Sequence, residues 1–271
     1  MKASQVIDLI KQNRKNHEFI PTGFASLDDN LDGGFLKKEL VVIGGSTGAG
    51  KSYLAIHLAM QAANAGFKVG YFSLEISMEL VVARMIGMKA GVKASHILYG
   101  LADEGDIQLK KAQTFVIGLS DLFNVEDVVY ELPIISEAIR KEKYEYVVID
   151  FVQNVIGSRA DEYERLSFIS LHLQKLAKEL NCCVVILSQL SNEVARDDIE
   201  TRALEYKGSG SIATVTDLGF FLAQTKPENE LVVEENTQTY QLRLAKNRRG
   251  PSNMFTKLLV RWPGGTFYET H

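Results

Sequence analysis

Short apolar runs alternate along this chain with stretches in which apolar residues recur every three or four positions. The runs at 40–43, 68–74, 122–125, 146–150, 183–187, 218–223 and 240–244 read as strands, several of them apolar on both faces. Between them, Leu54, Ala55, Leu58, Ala59 and Ala62 fall at helical spacing and predict a helix over 53–65, with Gly66 as its C-cap. Leu80, Val81, Met85, Ile86 and Met88 predict a second, capped by Ser77. Residues 133–143 read as a third, with Pro133 in the first turn. Residues 165–180 read as a fourth, with Leu166, Ile169, Leu173, Leu176 and Leu180 in one stripe. Strands at 255–260 and 266–268 would pair as a terminal hairpin across Pro263-Gly264-Gly265. Residues 91–117 mix helical and irregular patterns, and 192–210 is a long polar stretch.

At the N-terminus, Ala3, Val6, Ile7 and Ile10 share one face of an amphipathic helix, ahead of a turn-rich segment before residue 40. So short a helix needs an apolar surface, on its own domain or on a neighbouring subunit.

Strands alternating with helices imply an α/β fold: a mostly parallel central sheet flanked by helices, ending in a C-terminal β-hairpin. The 271 residues suffice for one large domain with a full core. Composition is that of a soluble globular protein, 46% hydrophobic and 24% charged, and no apolar run approaches a membrane span. Lys2, Asp8 and Lys11 interrupt the opening stretch, so no secretory signal is expected. The adjacent Cys182 and Cys183 would point to opposite faces of a strand, unsuited to a disulfide or a metal and consistent with a reducing, cytoplasmic setting. A net charge of −4 removes any global basic signature, so a nucleic-acid surface would have to be local. The five histidines show no metal-ligand spacing.

The chemistry concentrates in Gly45-Ser46-Thr47-Gly48-Ala49-Gly50-Lys51-Ser52, which fits the phosphate-binding loop pattern G-x-x-x-x-G-K-[ST] between a strand and a helix. Glycines let successive backbone N–H groups turn into one concavity, and the helix N-terminus adds unpaired donors and partial positive charge. Lys51 can reach β- and γ-phosphates, and the Ser52 hydroxyl can ligate Mg2+. In parallel sheets ligands gather at the carboxyl ends of the strands. Glu75, Asp150 and Gln189 each follow an expected strand. Asp150 could hold Mg2+ opposite Ser52, directly or through water. Glu75 could polarise an attacking water or simply cap a helix. Gln189 could sense the γ-phosphate or be a satisfied strand-end amide. Lys246 and Arg248, in the basic turn Lys246-Asn247-Arg248-Arg249-Gly250, could stabilise charge in phosphoryl transfer, on this chain's nucleotide or a neighbour's.

Together these words resemble the motor domain of DnaB-type replicative helicases, within the RecA-like ATPases. The resemblance rests on the phosphate loop, Phe72-Ser73-Leu74-Glu75, Val148-Ile149-Asp150-Phe151-Val152-Gln153, Lys175-Leu176-Ala177-Lys178-Glu179-Leu180-Asn181, Leu187-Ser188-Gln189-Leu190, Gly208-Ser209-Gly210-Ser211-Ile212 and Ala245-Lys246-Asn247-Arg248-Arg249-Gly250-Pro251. It covers about residues 20 to 269 and implies a linker-type helix over 1–18 followed by a RecA-like helicase ATPase domain over 19–271. Such proteins form six-membered rings around single-stranded DNA, hydrolyse ATP or another nucleoside triphosphate with Mg2+ between subunits, and work with a primase or a loader.

The resemblance makes Glu75 the catalytic base and Lys246 and Arg248 the trans-acting cations. It makes Lys207-Gly208-Ser209-Gly210 a DNA-contacting loop, with Arg159 and Arg196 as further basic candidates. Acids at Asp161, Glu162, Glu193, Asp197, Asp198 and Glu200 dilute that surface and predict weak, salt-sensitive binding. No room is expected for the N-terminal collar of full-length relatives, which phage and plasmid relatives often lack; an excised or diverged motor is the other reading. The alternative reading is a RecA-like ATPase without unwinding activity, a recombination mediator or a KaiC-like regulator.

Overall fold

The computed structural model describes Ala3 and residues 19–157, 161–189, 210–225 and 236–270. The expected helix over 1–18, apart from Ala3, and Arg159, Arg196, Lys207 and Gly208 lie outside the described residues. The apolar runs become β1 (Leu40–Gly45), β2 (Val69–Ser73), β3 (Phe123–Glu126), β4 (Tyr146–Asp150), β5 (Cys183–Gln189), β6 (Leu218–Gln224), β7 (Thr237–Asn247), β8 (Met254–Arg261) and β9 (Thr266–Glu269). They form one sheet in the order β3-β2-β4-β5-β1-β6-β7-β8-β9. All pairings from β3 to β6 are parallel, and those from β6 to β9 are antiparallel. β1, β2, β4 and β5 are buried along nearly their whole length, which is why they read as continuous apolar runs rather than alternating ones.

The described helices are α1 (Ala25–Asn30), α2 (Lys51–Asn64), α3 (Met78–Ala90), α4 (Ala94–Leu98), α5 (Ile107–Gly118), α6 (Leu132–Glu142), α7 (Glu162–Leu180) and α8 (Gly210–Val215). Strand alternation splits the core in two. Val41, Ile43, Val148, Val185 and Leu187 face the side covered by Leu54, Ala55, Leu58 and Ala59 of α2. Leu40, Val42, Ile149 and Ile186 face Ile135 and Ile139 of α6 and Leu166, Ile169, Leu173 and Leu176 of α7. Each such fully buried Leu or Ile contributes roughly 1.5–3 kcal/mol. Caps hold the helix starts: Ser77 Oγ accepts from Leu80 N, and Asp161 Oδ1 accepts from Glu164 N at 2.9 Å.

Three elements depart from the pattern. α1 forms inside the segment read as turns, because Phe24, Leu27 and Leu31 are buried and Asp28 Oδ1 accepts from Thr22 N and Oγ1 at 2.9 and 2.7 Å. β7 runs past both ends of the expected 240–244, since its polar ends pair with β6 and β8. Cys182 precedes β5 rather than lying in it, and both thiols are free and buried. Gly210 opens α8.

The turn between β8 and β9 lies on α3. A Cβ on Gly264 would come within 2.4 Å of the Gly87 carbonyl oxygen, so only glycine permits this approach. Gly264→Ala is expected to lift the hairpin from α3 and lower unfolding free energy by about 1–3 kcal/mol in urea titration. On α2, the His57 ring stacks on Phe24 at 4.7 Å, and its buried Nε2 has no hydrogen-bond partner among the described residues. Burial, aided by the charge of Lys89, lowers its pKa to about 4. A folded pKa below the unfolded one gives stability that is present above pH 6.5 and lost as pH falls toward 4. Between pH 7 and 4, the protein should therefore lose on the order of 2–3 kcal/mol more than a His57→Phe variant, read from urea midpoints at each pH.

Candidate nucleotide site

β1 ends at Gly45 in the middle of the sheet, and the chain re-enters as α2 at Lys51. Gly48 and Gly50 take φ of 78° and 81°, in the left-handed region that a side chain would strain. Gly50 caps α2 with no side chain, which leaves the first-turn N–H groups turned toward the loop. Lys51 Nζ donates to the Gly45 and Ser46 carbonyls, each at 2.9 Å. Burial lowers the Lys51 pKa, and the charges of Asp150 and Glu75 oppose that shift.

Parallel register carries three more strand ends to the same edge. Ser73 of β2 stands opposite Asp150 of β4, and Gly45 stands opposite Gln189 of β5. Asp150 is 2% exposed. Its Oδ1 accepts from Ser52 Oγ at 3.1 Å, and its Oδ2 accepts from Tyr71 OH at 2.7 Å. Burial raises the Asp150 pKa, while those two hydrogen bonds favour the carboxylate. Ser52 and Asp150 are hard oxygen donors, a set that suits Mg2+ completed by a ligand's phosphates. Among the described residues no group of three or more His, Cys, Asp and Glu could hold a metal alone.

A cleft of about 240 Å³ opens over the loop, and Gly48, Gly50, Lys51, Ser52, Glu75, Asp150 and Gln189 all line it. It continues into a cleft of about 590 Å³ between α3 and the β8–β9 turn, the two sharing Tyr53, Arg84 and Trp262. The Arg84 guanidinium lies 4.4 Å over the Tyr53 ring, and Trp262 meets that ring edge-on at 5.4 Å. Tyr71, Arg84 and Trp262 stand at or beneath these clefts without belonging to any of the motifs quoted above. An arginine among Val81, Ala83 and Met85 and the single tryptophan before Pro263-Gly264-Gly265 were the available signals.

Lys246 and Arg248 do not line this cleft. Lys246 Nζ donates to the Ala213 carbonyl, and Arg248 pairs with Asp217 Oδ1 at 2.8 Å. Asp217 Oδ2 in turn accepts from Leu40 N at 2.9 Å, at the start of β1. The phosphate loop leaves the other end of that strand. At ~3.3 Å per residue, Leu40–Gly45 puts roughly 17 Å between the two.

A phosphate loop between a central parallel strand and its helix, with a carboxylate ending a strand two places away, defines a RecA-like P-loop fold. The DnaB-like helicase C-terminal domain family matches residues 19–261, and the chain belongs to that family. It is 30% identical over 253 residues to the replicative DNA helicase DnaB of Treponema pallidum, covering 89% of this chain and 54% of the relative. It is 29% identical over 246 residues to that of Geobacillus stearothermophilus, covering 86% and 52%. The chain thus spans about half the length of the curated relatives it matches. Among solved structures, an ATPase domain superposes with a TM-score of 0.83 at 24% identity, covering 99% of this chain and 97% of that one. A DnaB-like replicative helicase, described with its interactions with primase, superposes at 0.82 and 22% identity, covering 100% and 67%. Among the described residues no helix is long and apolar enough to cross a membrane.

Proposed function

We propose that this chain is the ATP-hydrolysing motor of a replicative DNA helicase, which works as a ring and translocates on single-stranded DNA. The observation that carries the reading is the separation of two charged sets. Lys51, Ser52, Glu75, Asp150 and Gln189 converge on one cleft, while Lys246 and Arg248 sit toward the opposite end of β1. The span of β1 keeps those two cations from the chain's own loop, so a second copy is the natural recipient of their charge. Copies that each grip one nucleotide and serve the next pack head to tail, an arrangement that forms a ring when the rotation between them closes, and six copies is the number typical of the family.

The site residues divide the labour as follows. Loop N–H groups and Lys51 bind the phosphates, and Ser52 with Asp150 holds Mg2+. Bound ATP with Mg2+ supplies the phosphoanhydride that is cleaved. Glu75 orients water and accepts its proton, and Gln189 carries the change at the γ-phosphate into the chain that follows β5. Lys207, Gly208 and Gly210, with Arg159 and Arg196, are the proposed strand contacts, weak and salt-sensitive as their acidic neighbours require. The N-terminal segment docks on the adjacent copy, and a primase or a loader joins the ring, a role suggested by the primase described with one relative. The setting is the cytoplasm of a bacterium, whether the gene is the host's, a phage's or a plasmid's.

Two outcomes test this. Glu75→Gln should retain nucleotide binding and lose hydrolysis by roughly 10²–10⁴-fold, whereas Lys51→Ala should lose both. Lys51→Ala and Arg248→Ala should each be inactive alone, yet recover single-strand-stimulated hydrolysis when mixed, because a mixed interface joins an intact Lys51 to an intact Arg248. No recovery from the mixture, or full activity in a strictly monomeric protein, overturns the shared-site reading.

A further inference from the structure

Tyr71 belongs to no sequence motif of the site and does not line the cleft, yet from beneath it its hydroxyl reaches the Asp150 carboxylate. Tyr71 of β2 stands opposite Val148 of β4, so its side chain shares a sheet face with Asp150, two residues on. That face also receives the start of α2, which brings Ser52. The Tyr71 hydroxyl donates to Asp150 Oδ2 at 2.7 Å while Ser52 Oγ donates to Oδ1 at 3.1 Å. The two carboxylate oxygens therefore have separate partners: one held from inside the sheet, the other turned toward the phosphate loop. Tyr71 is fully buried, and its ring stacks on Phe123 of β3 with centroids 6.2 Å apart and planes 17° apart. The phenol thus has little freedom to leave the carboxylate.

We propose that Tyr71 is a positioning residue for the metal: by pinning Oδ2 it fixes the Asp150 carboxylate plane, so that Oδ1 and Ser52 Oγ present one preset pair of hard donors to Mg2+. The proposal rests on the nucleotide reading above. Without the phenol, a carboxylate can rotate about its last bond, and Oδ1 is in place only part of the time. The metal then meets a less organised donor pair, and its affinity falls, as it does when other outer-shell partners of metal ligands are removed. Nucleotide held by loop N–H groups and Lys51 alone is unaffected, since neither touches Tyr71 in the hydrogen-bond network.

The test uses the full chain and a fluorescent, non-hydrolysable ATP analogue, with binding measured across Mg2+ concentrations and in EDTA. In Tyr71→Phe the Mg2+ concentration for half-maximal tightening of analogue binding should rise about 10-fold or more, with affinity in EDTA unchanged. Phe123→Leu keeps the hydroxyl but loosens the ring, and should give a smaller rise in the same direction. A Tyr71→Phe protein with an unchanged Mg2+ requirement and only a lower thermal midpoint overturns the proposal, because the phenol is then structural. If Tyr71→Phe does not fold, an unchanged Mg2+ requirement in Phe123→Leu overturns it equally. Failure of the unsubstituted protein to bind the analogue in any Mg2+ concentration would instead remove the nucleotide reading itself.

Discussion

An almost water-free carboxylate sits at the junction of this fold. Asp150 ends an apolar strand, is nearly without solvent contact, and lies near the acid of Glu75. Left alone, a group so placed takes up a proton rather than carry charge. Two hydroxyls oppose that outcome, one arriving from β2 and one from the first turn of α2. Satisfying one buried acid therefore ties the phosphate loop to two strands that do not pair with the strand it leaves. The loop cannot drift from β4 without stranding that carboxylate, and the grip on phosphates inherits its geometry from this constraint.

Burial and strand register also decide which parts of the fold could be read from the chain. Parallel strands buried on both faces announce themselves as apolar runs, and Val148-Ile149-Asp150 was legible because a charge closes such a run. The phosphate loop was legible because its glycines and lysine are demanded by local backbone chemistry. Tyr71 and Trp262 were not, since their places beside the site arise from register and from a turn laid on a distant helix, neither of which is encoded within a few residues. β7 was read too short for a related reason. Its ends are polar and half exposed, and only pairing with β6 and β8 makes them strand. α1 shows the reverse case, where Asp and Asn signalled turns but buried Phe24, Leu27 and Leu31 gave the segment a reason to coil.

Consecutive arginines at the end of β7 show how one short bend serves two purposes. Arg249 faces inward: its Nε lies 3.0 Å from Glu39 Oε1, and its two terminal nitrogens donate to the Leu31 and Gly34 carbonyls at 2.9 Å each. A planar fork with several fixed donors suits this three-sided anchorage, which a lysine could not reproduce. Arg248, one residue earlier, takes the other side and keeps 42% of its side-chain surface exposed while bound to Asp217 and the Thr214 carbonyl. The guanidinium side of the pair is open to solvent while Asp217 is largely buried, so Arg248 is the partner that can leave.

That contrast bears on how a ring of such chains could cycle. If Arg248 acts on a neighbour's nucleotide as proposed, it needs a resting partner that it can leave and a base stiff enough to return it to the same place. Asp217 supplies the first: Oδ1 holds the half-exposed Arg248 guanidinium, and Oδ2 accepts from Leu40 N. Arg249 supplies the second, because its largely buried ion pair with Glu39 joins the bend after β7 to the segment just before β1. β1 is also the strand from which the phosphate loop springs. The loop end and the Arg248 end of one copy are thus joined through the six residues of a single buried strand.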